Sequence, residues 1–303
     1  MATTYNELYL NARRALKAAG VEQAQLEARE LLCLASDKSR EKMMNDLPLN
    51  APDHVEARFS ELLARRLAGE PVAYILGEWD FYGLTLDICR DVLIPRPDTE
   101  TLVDQGVLFV RDLPEGSWAL DLCAGSGCVG LALANSCANV RVILAEWSED
   151  ALRVCRQNIR RSGLSHQVSQ VRVNAMDPPP RLFRDFDVIL CNPPYIPTGD
   201  LDKLDPSVRD YEPRMALDGG PDGLAFYRAI ADRWKTVLRP GGRLMFEVGF
   251  DQAEAVRAIL EENGYEDIRI AQDPGGCQRV VEGAKPRPDL FAGLVPDLDE
   301  GEQ

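Results

Sequence analysis

Asn192-Pro193-Pro194-Tyr195 is the stretch of this sequence whose residue types most narrow its chemistry. It follows Phe186-Asp187-Val188-Ile189-Leu190-Cys191, an apolar run that reads as a buried strand. Two consecutive prolines fix the backbone just past that strand and remove two amide donors. Two rigid acceptors remain, the Asn192 side chain and the Pro193 carbonyl. Such a pair suits an NH2 group on a planar, conjugated nitrogen, whose delocalised lone pair makes it a poor nucleophile. Two acceptors would hold its hydrogens, turn the lone pair toward an electrophile and stabilise the positive charge that grows on nitrogen. Tyr195 would pack over the flat group and exclude water. The plainer alternative is a strand-ending turn with a packed tyrosine.

A second constellation lies upstream. Asp121-Leu122-Cys123-Ala124-Gly125-Ser126-Gly127 ends another strand and runs into a helix, where glycines let backbone amides approach an anion at the helix N-terminus. The loop is neither a GxGxxG turn nor a Walker loop, since Gly-Lys-Ser/Thr is missing. Nineteen residues after Gly127 the next strand ends in Glu146, placed to accept both hydroxyls of a ribose. A glycine-rich turn with an acid at the second strand tip fits either a dinucleotide or adenosylmethionine. The following strand leaves Asn174-Ala175-Met176-Asp177 where an adenine ring would lie. Asn174 could bond its amino edge and Met176 pack its face, with Asp177 a competitor.

Other chemistries lack their residues. The eight cysteines (33, 89, 123, 128, 137, 155, 191 and 277) form no Cys-x-x-Cys pair and have no histidine at metal-ligand spacing. Neither a metal site nor a disulfide framework is expected, and reduced thiols suit a cytoplasm. With only His54 and His166 in the chain, a histidine base has little to draw on. Arg96, between two prolines, is either at a substrate mouth or paired with Asp98 or Glu100, and Glu247 in Leu-Met-Phe-Glu-Val-Gly is either a polar group facing the site or a structural carboxylate.

Positioning these residues takes an alternating β/α pattern. Strands are expected near 117–123, 140–146, 168–174, 186–191, 242–248, 266–271 and 277–282, and helices near 98–111, 128–137, 148–162, 222–238 and 251–263. That alternation predicts an α/β fold with a doubly wound, seven-stranded, mostly parallel sheet. Asp273-Pro274-Gly275-Gly276 is too short for a crossover, so the last strand should be antiparallel. Residues 1–71 read as a separate helical bundle, with helices from Thr4 to Ala19, at 22–35, at 39–46 and from Pro52 to Ala68. Residues 72–95 change to a period of two, with Trp79, Phe81, Leu84, Leu86 and Ile88 broken by Gly83, and read as a β-hairpin linker. Residues 96–283 form the catalytic unit, and the Pro/Gly-rich, acidic 284–303 reads as a disordered tail.

Of the 303 residues, 34 are Lys or Arg and 49 are Asp or Glu, a net charge of −15. Residues 1–70 are nearly neutral, so the acidity lies in the C-terminal part. An acidic chain disfavours a life spent gripping nucleic acid through a basic face. No run approaches the roughly 18 apolar residues that cross a bilayer, and the start lacks a signal-like pattern. A soluble, cytoplasmic protein is expected.

Pro71-to-Leu84 (PVAYILGEWDFYGL), LIPRPDTETLV, DLCAGSG, the acid at Glu146, NPPYIP and YEPRMALDGGPDGLAFYRAI together carry a resemblance. From residue 1 to about 283 the chain resembles the HemK/PrmC family of protein-(glutamine-N5) methyltransferases, which act on the Gly-Gly-Gln loop of peptide chain release factors. NPPY alone also occurs in adenine-amino methyltransferases; the hairpin, PRPDTE and YEP…ALDGG segments are more specific. The resemblance implies a class I, Rossmann-like methyltransferase fold and S-adenosyl-L-methionine as cofactor, S-adenosyl-L-homocysteine as product and no metal. It implies that Asp121, Cys123, Ala124, Gly125, Ser126, Gly127, Glu146, Asn174 and Asn192 hold the cofactor. Asn192, Pro193, Pro194 and Tyr195 would receive the glutamine and carry catalysis. No general base is needed in the first step, because the proton can leave after methyl transfer. The helical bundle would dock a release factor, with no nucleic acid, no membrane and a monomeric chain. Cys123-Ala124 replace the family's more usual Gly-Thr, and Glu146 stands where Asp is usual, one methylene longer. The alternatives are the glutamine of a ribosomal protein, an adenine amino group in nucleic acid, and a non-catalytic adenosylmethionine-binding protein.

Overall fold

In the computed structural model, which describes residues 3–288, helix α1 (Tyr5–Ala18) begins where Thr4 and Glu7 cap one another. The Glu7 N–H donates to the Thr4 hydroxyl and the Thr4 N–H to the Glu7 carboxylate, settling two donors that a helix start leaves orphaned. Helices α2 (Ala24–Ser36), α3 (Arg40–Asp46) and α4 (Asp53–Leu67) follow. Their apolar stripes close a core of their own around Leu16, Leu31, Leu32, Met43 and Phe59.

The linker differs from the expected hairpin at its start. Val72–Leu76 is a short helix, α5, between Pro71 and the left-handed Gly77. A five-residue apolar run reads equally well as strand or helix, and packing decides: Val72 and Ile75 join the helical core, while Ala73 and Tyr74 join a core of the sheet. Strand pairing begins at β1 (Glu78–Phe81) with β2 (Leu84–Asp87). Tyr82 and Gly83 both have positive φ, 48° and 77°, the pattern of the tightest hairpin turns. A tyrosine is strained there. Its N–H donates to Glu100 (3.0 Å) and its hydroxyl to Asp104 (2.6 Å), which holds the turn against helix α6 (Glu100–Val110).

The remaining elements are β3 (Ser117–Leu122), α7 (Cys128–Ser136), β4 (Val140–Glu146), α8 (Glu149–Arg161), β5 (Val168–Arg172), β6 (Phe186–Cys191), α9 (Pro206–Arg209), α10 (Ala225–Arg233), β7 (Leu238–Glu247), α11 (Ala253–Glu262), β8 (Glu266–Gln272) and β9 (Gln278–Ala284). The seven-stranded sheet runs β5-β4-β3-β6-β7-β9-β8, parallel except for β9, which is antiparallel to both neighbours. Helices α6, α7 and α8 cover one face and α10 and α11 the other. The helix expected at 222–238 stops earlier than its apolar spacing suggests: α10 ends at Arg233 because Trp234 turns inward, fully buried, and its indole N–H donates to the Ala175 carbonyl (2.9 Å). The expected tail falls mainly at 289–303, outside the described residues. Among the described residues no helix is long and apolar enough to cross a membrane.

The hairpin is tied to the sheet by one side chain that sequence patterning does not reveal. Asn158 of α8, fully buried, accepts from the Asp87 N–H (2.7 Å) and donates to the Asp87 carbonyl (3.1 Å) and the Ser126 carbonyl (2.9 Å). Asn158→Ala strands two buried carbonyls and an amide, so it should lower stability by about 2–4 kcal/mol in urea unfolding.

Candidate active site

Order in the sheet reverses between β3 and β6, and Leu122 pairs with Cys191 across that parallel junction. Ligands in such sheets bind at the carboxyl ends of strands where the order reverses. The loop Cys123–Gly127 and the segment Asn192–Tyr195 therefore leave neighbouring strands at the same level.

The loop is bent by three left-handed residues, Cys123 (φ 65°), Gly125 (φ 55°) and Gly127 (φ 83°). At Gly127 a Cβ would also meet the Leu144 side chain at 2.8 Å, and at Gly130 at 2.3 Å, so α7 lies directly on β4. Asp121, nearly fully buried, accepts the Gly130 N–H at 2.8 Å. Burial pushes its carboxyl up to about 7, against the pull of that amide and with a further push from Glu146. Glu146 clamps the loop: one oxygen takes the Gly125 N–H (2.9 Å), the other the N–H groups of Trp147 (2.7 Å) and Ser148 (2.8 Å).

These groups line one cavity. Asp121, Cys123, Ala124, Gly125, Ser126, Glu146, Asn174, Asn192 and Pro194 are all on its wall. Gly127, Pro193 and Tyr195 adjoin these residues in the chain and are not on that wall. Of the three residues weighed after the third parallel strand, Asn174 lines the cavity and Met176 and Asp177 do not. The Asn174 side-chain oxygen is spent on the Met176 N–H (3.0 Å). Two observations fit a cofactor with an amino-acid end, a ribose and a ring. The Ser126 hydroxyl is buried without a hydrogen-bond partner, and a Cβ at Gly125 would project into open space. Trp147, which sequence reading passed over although it adjoins the acid, also lines the cavity, with the Arg172 guanidinium 4.6 Å from its ring centre.

Asn192–Tyr195 is held by a loop far along the chain. The Ile196 N–H donates to the Leu217 carbonyl (3.0 Å), and the Gly219 N–H to the Ile196 carbonyl (2.8 Å). Gln252 donates to the Tyr195 carbonyl (2.9 Å). A Cβ at Gly219 would lie 2.7 Å from Tyr195 Cα, and one at Gly223 2.4 Å from the Tyr195 carbonyl oxygen. The glycines of ALDGGPDGL are thus the space into which this backbone packs. Among the described residues the Pro193 carbonyl accepts no hydrogen bond, and burial pushes the Tyr195 hydroxyl up to about 12.

A strap over residues 94–100 completes the wall. Arg96 pairs with buried Glu212, not with Asp98 or Glu100, and Glu212 also accepts the Ile94 N–H (3.3 Å). Asp98 pairs with Arg279 (3.0 Å), and Thr99 accepts from the Asn192 amide at 3.4 Å. Sequence reading missed Glu212 and Arg279; Glu212 stands in the YEPR segment, while nothing around Arg279 marks it.

Residues 7–77 match the family described as PrmC N-terminal domain, and residues 99–203 that described as methyltransferase small domain. A release factor glutamine methyltransferase of Geobacter sulfurreducens is 42% identical over 87% of this chain and 90% of its own length. The one from Caulobacter vibrioides is 36% identical over 94% and 98%. A methyltransferase of Pyrococcus furiosus superposes with a TM-score of 0.51 over 75% of this chain and all of its own, at 19% identity, a likeness of fold.

Because the added methyl of Gly219→Ala overlaps backbone rather than a yielding side chain, that variant should displace Tyr195. Turnover should fall about tenfold or more, with cofactor affinity changed less than about twofold, read by steady-state kinetics and calorimetry.

Proposed function

Since this chain belongs to the release factor glutamine methyltransferase family, we infer that Asn192 and the Pro193 carbonyl receive the side-chain amide of the glutamine it methylates. The enzyme transfers a methyl group from S-adenosylmethionine to that amide nitrogen, in the Gly-Gly-Gln motif of release factors. The observation that supports the assignment is the register of Leu122 with Cys191, which sets the two acceptors beside the cofactor loop.

When bound, adenosylmethionine supplies the methyl group on a positively charged sulfonium. We assign the loop Cys123–Gly127 and the Asp121 carboxylate to its amino-acid end, Glu146 to its ribose, and Asn174 and Trp147 to its ring. Glu146 holds three amides, yet a carboxylate has about four acceptor sites, so it retains capacity for a hydroxyl. The Asn192 oxygen and the Pro193 carbonyl take the two amide hydrogens of glutamine. Tyr195, neutral at working pH with its hydroxyl raised to about 12, covers the flat group and keeps water out. Alignment and a dry site supply the acceleration, and no metal or general base enters the first step. We take the helical unit to dock the release factor, since it carries its own core and is joined to the sheet through α5. We also take the enzyme to work in the cytoplasm as a monomer, without gripping nucleic acid, a reading its charge of −15 supports.

Incubation with adenosylmethionine and unmodified release factor should add one methyl to the Gly-Gly-Gln glutamine by peptide mass spectrometry; an unchanged mass there would overturn the substrate. Asn192→Ala should lower turnover on the order of a hundredfold, and normal turnover would remove the acceptor role. Asp121 is neutral below about pH 7 and ionised above it, so it attracts the cationic cofactor only on the alkaline side. Affinity should therefore fall by up to about tenfold from pH 8 to pH 6, and calorimetry in Asp121→Asn should show that dependence gone.

A further inference from the structure

Cys191 of β6 pairs with Phe246 of β7, so Asn192 and Glu247 stand side by side at the ends of adjacent parallel strands. Glu247 is 2% exposed, and one of its carboxyl oxygens, Oε2, has no hydrogen-bond partner. Its backbone is fixed from both sides: the Tyr227 hydroxyl donates to its carbonyl (2.9 Å), and it pairs with Val280 of β9. The Asn192 amide itself donates to the Thr99 hydroxyl at 3.4 Å, and the Glu247 carboxyl, its neighbour across the β6–β7 register, is close enough for both groups to favour its ionised form. The nearest cation, Arg279, is engaged by Asp98 (3.0 Å) and Asp273 (3.4 Å). A buried carboxyl left with an idle oxygen beside the key amide is costly.

The substrate-binding role of Asn192 requires one of two amide orientations. Its Oδ1 must face the NH2 of glutamine; turned over, it would set NH2 against NH2. Thr99 cannot choose between them, because a hydroxyl both donates and accepts. An ionised carboxylate only accepts, so it tolerates the Nδ2 side alone. We propose that Glu247 is a positioning residue that takes an Nδ2 hydrogen of Asn192, locking the amide so that Oδ1 is the face presented to the substrate. This rests on the reading of Asn192 given above.

The lock holds only while Glu247 is ionised. Burial pushes its carboxyl up to about 7, helped by Asp98 and opposed by Arg279, Thr99 and Asn192. Tyr195, Tyr227 and the Cys128 thiol, the other titratable groups that feel it, are neutral across this range because burial raises all three. Once protonated, Glu247 can donate to a flipped Oδ1, and the choice is lost.

The test is Glu247→Gln, which keeps size and burial but can present either an oxygen or an NH2 to Asn192. At saturating cofactor, which removes the contribution of Asp121, kcat should fall about ten- to a hundredfold. KM for the release factor and thermal stability should change little. The acid limb of the wild-type log kcat–pH profile near pH 7 should disappear in the variant. In an Asn192→Ala background the same substitution should cost nothing further, as expected for a residue acting through Asn192. Wild-type kcat with an intact acid limb in Glu247→Gln would overturn the proposal, as would losses that add in the double variant. Normal turnover in Asn192→Ala would instead bring down the acceptor reading on which it rests.

Discussion

One pairing, Leu122 with Cys191, governs the rest of the site. Parallel strands paired in register must end at the same height, and where the winding reverses, their loops part to opposite faces and leave a crevice between them. The loop Cys123–Gly127 and the segment Asn192–Pro193, to which we assign cofactor and glutamine, occupy the two lips of that crevice. Nothing in either motif specifies the distance between them; the sheet does. β7 adds Glu247 one strand further over by the same register argument.

Around this junction, separate segments close the wall by charge and by close approach. The strap at 94–100 is tied to Glu212, Arg279, Asn192 and the hairpin turn by four different side chains. Half-exposed pairs of this kind each contribute little. Arg96–Glu212 differs, because Glu212 is buried and also takes a backbone amide, so removing the arginine would leave a charge uncompensated. The Gly219 and Gly223 contacts with Tyr195 work by shape alone: they fix the acceptors through backbone that has no side chain to yield.

The class of fold, the seven strands and the antiparallel end strand were legible because period and turn chemistry are local. The meeting of Asn192 with the loop Cys123–Gly127 at one cavity was legible too, because their residue types are restrictive in themselves. α5 was not, since VAYIL has no period of its own and takes its form from two cores that meet on it. Asn158, Glu212 and Arg279 escaped for a related reason. Each is an ordinary polar residue on an ordinary element, and its importance lies in partners far along the chain: Ser126 is 32 positions from Asn158, Ile94 118 from Glu212, and Asp98 lies further still from Arg279. The choice of Asn174 over Met176 and Asp177 needed the direction in which the chain turns after β5, which depends on the Trp234 indole holding Ala175.

α5 has one more consequence. A loop between two bodies acts as a hinge, but a single helical turn whose opposite sides are sunk into different interiors cannot swivel without pulling apolar surface from one of them. Val72 to Leu76 therefore works as a fixed bracket. On the docking role proposed for the bundle, whatever it grips would be offered to Asn192 at one span and one angle, and the chain would measure its substrate as a calliper does. Partners would be selected by the separation between their gripped surface and their glutamine, a property of their whole shape rather than of the sequence around the modified residue.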